Sequence, residues 1–218
     1  MAVIHATTMT PGKLELLAAW LPTRPWYTGR GREPELAKAG GFRLDDPAGE
    51  VGIEFMVVTD TSGDRPVAYH VPLGYRGAPL DGADGADGAL IGTSEHGVLG
   101  RRWVYDGAGD PVVAGRLLAL IQGRAEAQHS TESNTPATFV STRFTGTAAA
   151  TATAITAVED GPDGTDIVLA AEPDGTLTIG VSRVLRPQAA ASGAQGEVTA
   201  VWQAPDGTEL RGAFAVLR

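Results

Sequence analysis

Three Pro-Asp-Gly triplets punctuate the second half of this chain: Pro162-Asp163-Gly164, Pro173-Asp174-Gly175 and Pro205-Asp206-Gly207. Each has the chemistry of a reverse turn. Proline presets the first turn dihedral, aspartate bonds its own backbone, and glycine accepts positive φ. Turns so closely spaced leave room only for short strands that reverse on one another. The intervening residues agree, because Leu177, Ile179 and Val181 alternate with other residues, as do Leu210, Gly212, Phe214 and Val216. Strands are expected at 139–144, 147–158, 167–171, 177–185, 197–203 and 210–217, with an Ala-rich loop at 189–195. Residues 137–218 thus predict an antiparallel β-meander without helix.

The first half mixes two periods. Val51, Ile53, Phe55 and Val57 alternate and predict a strand with one strongly apolar face. Thr61-Ser62-Gly63-Asp64 is a turn signal, and Val67, Tyr69, Val71 and Leu73 alternate after it, so the two runs predict a hairpin. Pro72 within the second run points to an edge or a bulge. A further strand is expected over 98–105. Leu14, Leu17, Ala18 and Leu21 recur at helical spacing, with Thr10 and Pro11 as cap and first helical residue and Pro22 as the stop. Asp110-Pro111 and Gly123 bracket a second helix, with Val113, Leu117, Leu120 and Ile121 on one face. Residues 33–39 are expected to add a brief helix ended by Gly40-Gly41. The polar, aperiodic stretch 124–136 reads as a linker. The fold class expected is α+β: a curved antiparallel sheet with packed helices over 1–123, then a second antiparallel sheet over 137–218.

Composition narrows the function. The formal net charge is -9, which repels phosphate backbones and argues against nucleic acid as a partner. There is no apolar run long enough to cross a bilayer, and residues 1–10 lack the charged start and apolar stretch of a signal peptide. The chain has no cysteine, so disulfides, thiolate metal sites and cysteine nucleophiles are out, and a reducing cytoplasm suits it. No cofactor is expected.

The stretch from Leu14 to Arg32 concentrates recognition chemistry: Trp20, Trp26 and Tyr27 with Arg24, Arg30 and Arg32 around two glycines and two prolines. Such aromatics can serve as core, by area burial, or as a recognition surface. The ordered series Trp20-Leu21-Pro22, Arg24-Pro25-Trp26-Tyr27 and Gly29-Arg30-Gly31-Arg32 resembles the opening of actinobacterial maltokinases, in their N-terminal cap. Trp103-Val104-Tyr105-Asp106, Asp110-Pro111 and the Leu117–Ile121 run resemble the end of that cap. The resemblance implies a cystatin- or monellin-like curved sheet for residues 1–123.

It also invites a kinase reading, which the remaining residues oppose. Glu132-Ser133-Asn134-Thr135 is one step from the turn that leads, in those kinases, to the phosphate-binding lysine, yet no lysine occurs after Lys38. None of His5, His70, His96 and His129 begins a His-Gly-Asp catalytic series, and 218 residues leave little room for a catalytic lobe. Phosphoryl transfer needs cationic clamping, a base and acidic metal ligands together.

Other constellations are no stronger. Gly92-Thr93-Ser94-Glu95-His96-Gly97 misses the nucleophile elbow and reads as a surface loop. The acidic repeat at 81–89 has the wrong spacing for calcium, and the histidines lack zinc spacing. His70 reads as a half-buried polar residue. Glu33 with Glu35, and Asp45 with Asp46, are neighbours rather than a pair facing across a cleft.

The expectation is a non-catalytic protein connected with α-glucan, maltose or trehalose metabolism. It would dock on a partner enzyme or on a second copy through Arg24, Trp26, Tyr27, Arg30 and Arg32, with Trp103 as a further binding residue. Two alternatives stand beside it: a binder of a sugar or sugar phosphate, and a glucan-acting transferase.

Overall fold

The computed structural model describes residues 8–80, 89–132, 135–146, 150–172, 175–187 and 193–218. The acidic repeat, except Ala89, lies outside them, as do His5, Ser133, Asn134 and most of the expected 189–195 loop. Among the described residues the chain is sheet-dominated, with two short α-helices. In order they are β1 (Met9–Thr10), α1 (Lys13–Trp20), β2 (Leu36–Leu44), β3 (Val51–Asp60), β4 (Val67–Arg76), β5 (Leu90–His96), β6 (Gly100–Asp106), α2 (Pro111–Ile121), β7 (Gln128–His129), β8 (Ser141–Phe144), β9 (Thr151–Asp160), β10 (Gly164–Glu172), β11 (Thr176–Ser182), β12 (Gly196–Gln203) and β13 (Glu209–Leu217).

Where two sheets were expected, the strands form one open antiparallel sheet, ordered β1-β5-β6-β4-β3-β2-β12-β13-β11-β10-β9, with β7 added to β2 and β8 to β12. The junction is β2 against β12, where Gly40 pairs with Trp202. It explains the two glycines there. Gly41 has φ +130°, and a Cβ on it would strike the carbonyl oxygen of Phe55. No other residue permits that approach. Gly40-Gly41 therefore serves a strand junction instead of stopping a helix. The stretch 33–39 was expected to be helical, and its last four residues begin β2. Lys38 pairs with Val58 and Phe42 with Phe55, so pairing overrides the helix preference of an Ala-, Glu- and Lys-rich run.

The sheet bends strongly. Along its first half β4 is met on its second edge by the chain following β11: the His70 amide donates to the Arg183 carbonyl (2.9 Å) and the Leu185 amide to that of Ala68 (2.8 Å). Along its second half the same edge pairs with β6, from Leu73–Asp106 to Arg76–Trp103. Pro72 lies at the changeover. β4 is an interior strand in unbroken register with β3, so neither the edge strand nor the bulge expected from Pro72 is found.

Alternation along β3 divides the core. Ile53, Phe55 and Val57 point to the inner side of the bend, where Phe42, Trp202, Phe214 and the α2 residues Leu117 and Leu118 pack with them. Met56 and Val58 point outward to α1, against Leu17, Trp20 and Leu21. Residues 124–136 contribute β7, paired to β2 through Phe42–His129 and Arg43–Gln128, and Ala127 is buried in the inner core.

Both helices follow local rules. α2 begins as expected: Asp110 accepts from the amides of Val112 (2.9 Å) and Val113 (3.3 Å), and Pro111 follows it. Gly123, at φ +71°, ends it, with the Arg124 amide returning to Ala119 (2.8 Å). α1 starts later than expected, after Gly12, whose amide donates to Glu15 Oε2 (2.6 Å). Thr10 belongs to β1. Residues 92–96, expected in a loop, lie in β5. There Ser94 is buried and donates to the Pro11 carbonyl (2.8 Å).

Asp110 also receives both Arg76 nitrogens, Nε at 2.7 Å and Nη2 at 2.8 Å. Asp110→Ala removes a cap and strands a largely buried guanidinium, and is expected to destabilise by about 2 kcal/mol. Asp110→Asn keeps the cap and should cost less; urea titration of both variants checks the order.

Candidate functional site

The Trp20–Arg32 segment is built from its own backbone outward. After α1 the chain tightens into a 3-10 turn over Leu21–Thr23. Thr23 Oγ1 donates to the Trp20 carbonyl (2.7 Å) and the Arg24 amide to that of Leu21 (2.9 Å), so the proline-interrupted helix end keeps its carbonyls satisfied. This reversal drops the next two aromatics onto the outer face of the sheet. Trp26 meets Trp20 edge-on at 5.7 Å between ring centres, and Tyr69 of β4 touches both Trp26 (6.0 Å) and Tyr27 (5.3 Å).

Trp26 and Tyr27 were expected to be part of a recognition surface. They are buried, at 0% and 1% exposure. Their polar ends are satisfied internally, which is what burial demands of tyrosine and tryptophan. Tyr27 Oη donates to Asp60 Oδ2 (2.7 Å), while Asp60 Oδ1 accepts from the amides of Glu35 (3.0 Å) and Ser62 (2.9 Å). Burial, then the Asp60 carboxylate, push the Tyr27 hydroxyl well above its usual range. Burial alone would raise Asp60; its hydrogen bonds outweigh that and hold it below the usual carboxylate range.

The partner of Trp26 comes from far along the chain. Its Nε1 donates to Asp160 Oδ1 (3.2 Å) at the end of β9. Asp160 also accepts from Thr165 Oγ1 (2.6 Å), which in turn accepts from Arg183 Nε (2.8 Å). Arg183 is fully buried. Its guanidinium lies 5.0 Å from the Trp26 ring centre, and its Nη2 donates to Asp106 Oδ2. This connected set of one indole, two carboxylates, one hydroxyl and one guanidinium fastens the aromatic segment to β6, β9 and β10. Asp106 was singled out only within the Trp103–Asp106 resemblance, and nothing in the sequence pattern signalled Asp160, Thr165 or Arg183, because tertiary pairing alone brings them together.

Beside it lies His70, expected to be half-buried and in fact wholly so. It packs between Phe214 (4.6 Å) and Phe55 (5.9 Å), and Nδ1 is 3.1 Å from the Ser182 carbonyl, to which it donates as a neutral ring. Burial, then the nearby Arg183 charge, push its pKa down to about 3.

The three arginines of the segment do reach solvent. Arg24 is half-exposed and lies over Trp20 (5.0 Å), Arg30 folds back so that Nη2 donates to the Pro25 carbonyl (3.2 Å), and Arg32 pairs with Asp64 (3.1 Å). Only Arg24 of the three lies on an aromatic ring, while Arg32 is held at the β3–β4 turn by Asp64 and the Ser62 carbonyl. Trp103 is not with them. It is half-buried on the face of β6 opposite Val104, packed on Ala89 and Tyr105, whereas Val104 joins the Trp26 cluster.

A second charged group uses the only two lysines in the sequence. Lys13 and Lys38 converge on Glu54, 3% exposed, which Tyr75 Oη also donates to (2.9 Å). Burial would raise Glu54, and the two ammonium charges and the hydrogen bonds reverse this, leaving it low. Among the described residues no group of three or more His, Asp or Glu is placed to hold a metal, and no helix is long and apolar enough to cross a membrane.

Residues 20–110 match the family model of the maltokinase N-terminal cap domain. Over these residues the chain is similar to that cap domain. The match opens at Trp20 and closes at Asp110, the residue that caps α2. It takes in Trp26, Tyr27, Arg24, Arg30, Arg32 and Trp103. Asp160, Thr165 and Arg183, which hold Trp26, lie beyond it.

Proposed function

We propose that this cap-like protein is a docking or regulatory module, without phosphoryl transfer of its own, for an enzyme that handles α-glucan, maltose or trehalose in the cytoplasm. The match over residues 20–110 supports the reading most directly. The absence of any lysine after Lys38 also favours it, since phosphate clamping relies on fixed cations. The docking surface takes in the solvent-reaching residues Arg24, Arg30 and Arg32. Arginine is prominent at interfaces, and side chains already held, Arg24 on Trp20, Arg30 on the Pro25 carbonyl and Arg32 on Asp64, lose less freedom on binding. We read β2–β6 with α1 laid across them as the cystatin- or monellin-like part of an α+β arrangement.

The test is affinity capture from the cells that make the protein, with wild type and an Arg24→Glu, Arg30→Glu, Arg32→Glu variant as baits. A maltose-, trehalose- or glucan-handling enzyme should be retained by the wild type and lost by the variant. Its absence, or equal retention by both baits, overturns the proposal. Thermal shift with maltose and maltose 1-phosphate separates the ligand-binding alternative, which requires a rise in melting temperature without any protein partner.

A further inference from the structure

The two lysines of this chain, one from the start of α1 and one from β2, meet on the outer face of the sheet. Lys13 Nζ lies 2.5 Å from Glu54 Oε2 and Lys38 Nζ 3.3 Å from Oε1, so one carboxylate holds both ammonium groups. Like charges gathered in this way repel each other. Arg43 joins them. It is the cross-strand partner of Glu54 in the β2–β3 ladder, so its side chain leaves the sheet on the same face. The Tyr75 hydroxyl, which donates to Glu54 (2.9 Å), lies within its electrostatic reach. Arg43 is half-buried and makes no hydrogen bond or ion pair among the described residues.

Three cations against one carboxylate leave two positive charges uncompensated, in a chain whose net charge is -9. Glu15, the acid of the same helix turn as Lys13, is folded back onto the Gly12 amide. The cations are also open to a solute, since the Lys13 and Lys38 side chains are 36% and 37% exposed. Each ammonium has three donors. Among the described residues Lys13 spends one on Glu54, and Lys38 spends one on Glu54 and one on Ser130 Oγ (3.4 Å). What matches this surplus is an oxyanion with more than one charge. A phosphate group carries about -1.5 to -2 at neutral pH and has three acceptor oxygens. Those oxygens can meet an ammonium on either side and the forked guanidinium of Arg43. A second carboxylate would bring a single charge and leave the surplus half met.

We propose that Lys13, Lys38 and Arg43 bind a phosphate group, free or as a monoester, above Glu54. The group is held there, with no transfer step. These residues are distinct from Arg24, Arg30 and Arg32, and the test does not depend on the docking reading.

The experiment uses the full chain labelled with ¹³C-lysine, whose two lysines give two Cε signals, assigned from Lys38→Met. Potassium phosphate and glucose 6-phosphate should shift both signals saturably at neutral pH, and potassium acetate at matched ionic strength should not. Tighter binding of glucose 6-phosphate identifies an ester as the occupant; equal or weaker binding identifies free phosphate. Arg43→Met removes no hydrogen bond or ion pair among the described residues. It should keep the wild-type melting temperature and weaken phosphate binding about 10-fold or more, the loss of a charged hydrogen-bond donor. Lys38→Met should weaken it likewise, read on the Lys13 signal, which guards against one variant that misfolds. Arg24→Met should bind as wild type does. Shifts that stay linear in phosphate or match those of acetate, wild-type affinity in Arg43→Met, or an equal loss in Arg24→Met would overturn the proposal.

Discussion

Acidification from neutral pH to about pH 4 is expected to remove much of the stability of this protein, with His70 as the leading cause. Its folded pKa is about 3, against an ordinary value of 6.5. The sign follows from proton uptake. Between those two values the unfolded chain binds a proton that the folded chain refuses, so stability is fully present above about pH 6.5 and declines as pH falls toward 3. Each unit of separation is worth about 1.4 kcal/mol, so the full window amounts to something on the order of 5 kcal/mol, comparable with the whole stability of many domains. The structure supplies the reason. The ring is sealed between Phe55 and Phe214, Arg183 stands near it, and Nε2 has no acceptor within reach among the described residues. A second proton would therefore be buried without a partner and beside a positive charge. Glu54 acts in the same direction at lower pH. Its folded pKa is depressed, so its contribution is present above its unfolded value near 4.5 and is lost as pH falls further. Urea titrations at pH 7, 5.5 and 4.5 check the expectation. His70→Phe should flatten the decline between pH 6.5 and 4.5; wild-type and variant curves that run parallel would refute the assignment.

Trp26→Ala should be the most damaging single truncation in the aromatic segment. Emptying a fully buried indole site costs about 3–5 kcal/mol through lost burial and the cavity left behind. Two further losses add to it, since Asp160 gives up one of its donors and Arg183 its aromatic face. For a chain of this length the melting temperature should fall by roughly 10 °C. Arg30→Ala, a few residues away on the surface, should stay within about 0.5 kcal/mol of wild type. Calorimetry on both variants separates two roles for the motif. A docking residue would affect partner capture and leave the melting temperature alone; a core residue does the reverse, and Trp26 is placed in the core. If Trp26→Ala melts within a degree or two of wild type, this placement is wrong.

The sequence made the regular elements legible wherever local chemistry decides them. The β3–β4 hairpin announces itself through alternation and a turn, α2 through Asp110, Pro111 and Gly123, and the β12–β13 turn through Pro205-Asp206-Gly207. Legibility failed where partners are remote. Residues 36–39 favour a helix in isolation and become strand only because β3 lies alongside. Ser94 and His96 resemble a loop until β6 pairs with β5. The segment from Trp20 to Arg32 was visible as a unit, and its arginines do face solvent. Which aromatics would be exposed was not visible, because the acceptor for Trp26 is 134 residues away. Short-range spacing carries no trace of such a bond.

The fastening of Trp26 by Asp160 and Arg183 bears on how such a cap could be exchanged between proteins. A graft limited to residues 20–110 would carry a plug without its socket: an indole stripped of its acceptor and an apolar face open to water. The smallest portable piece is the one that also brings the end of β9 and the arginine that follows β11.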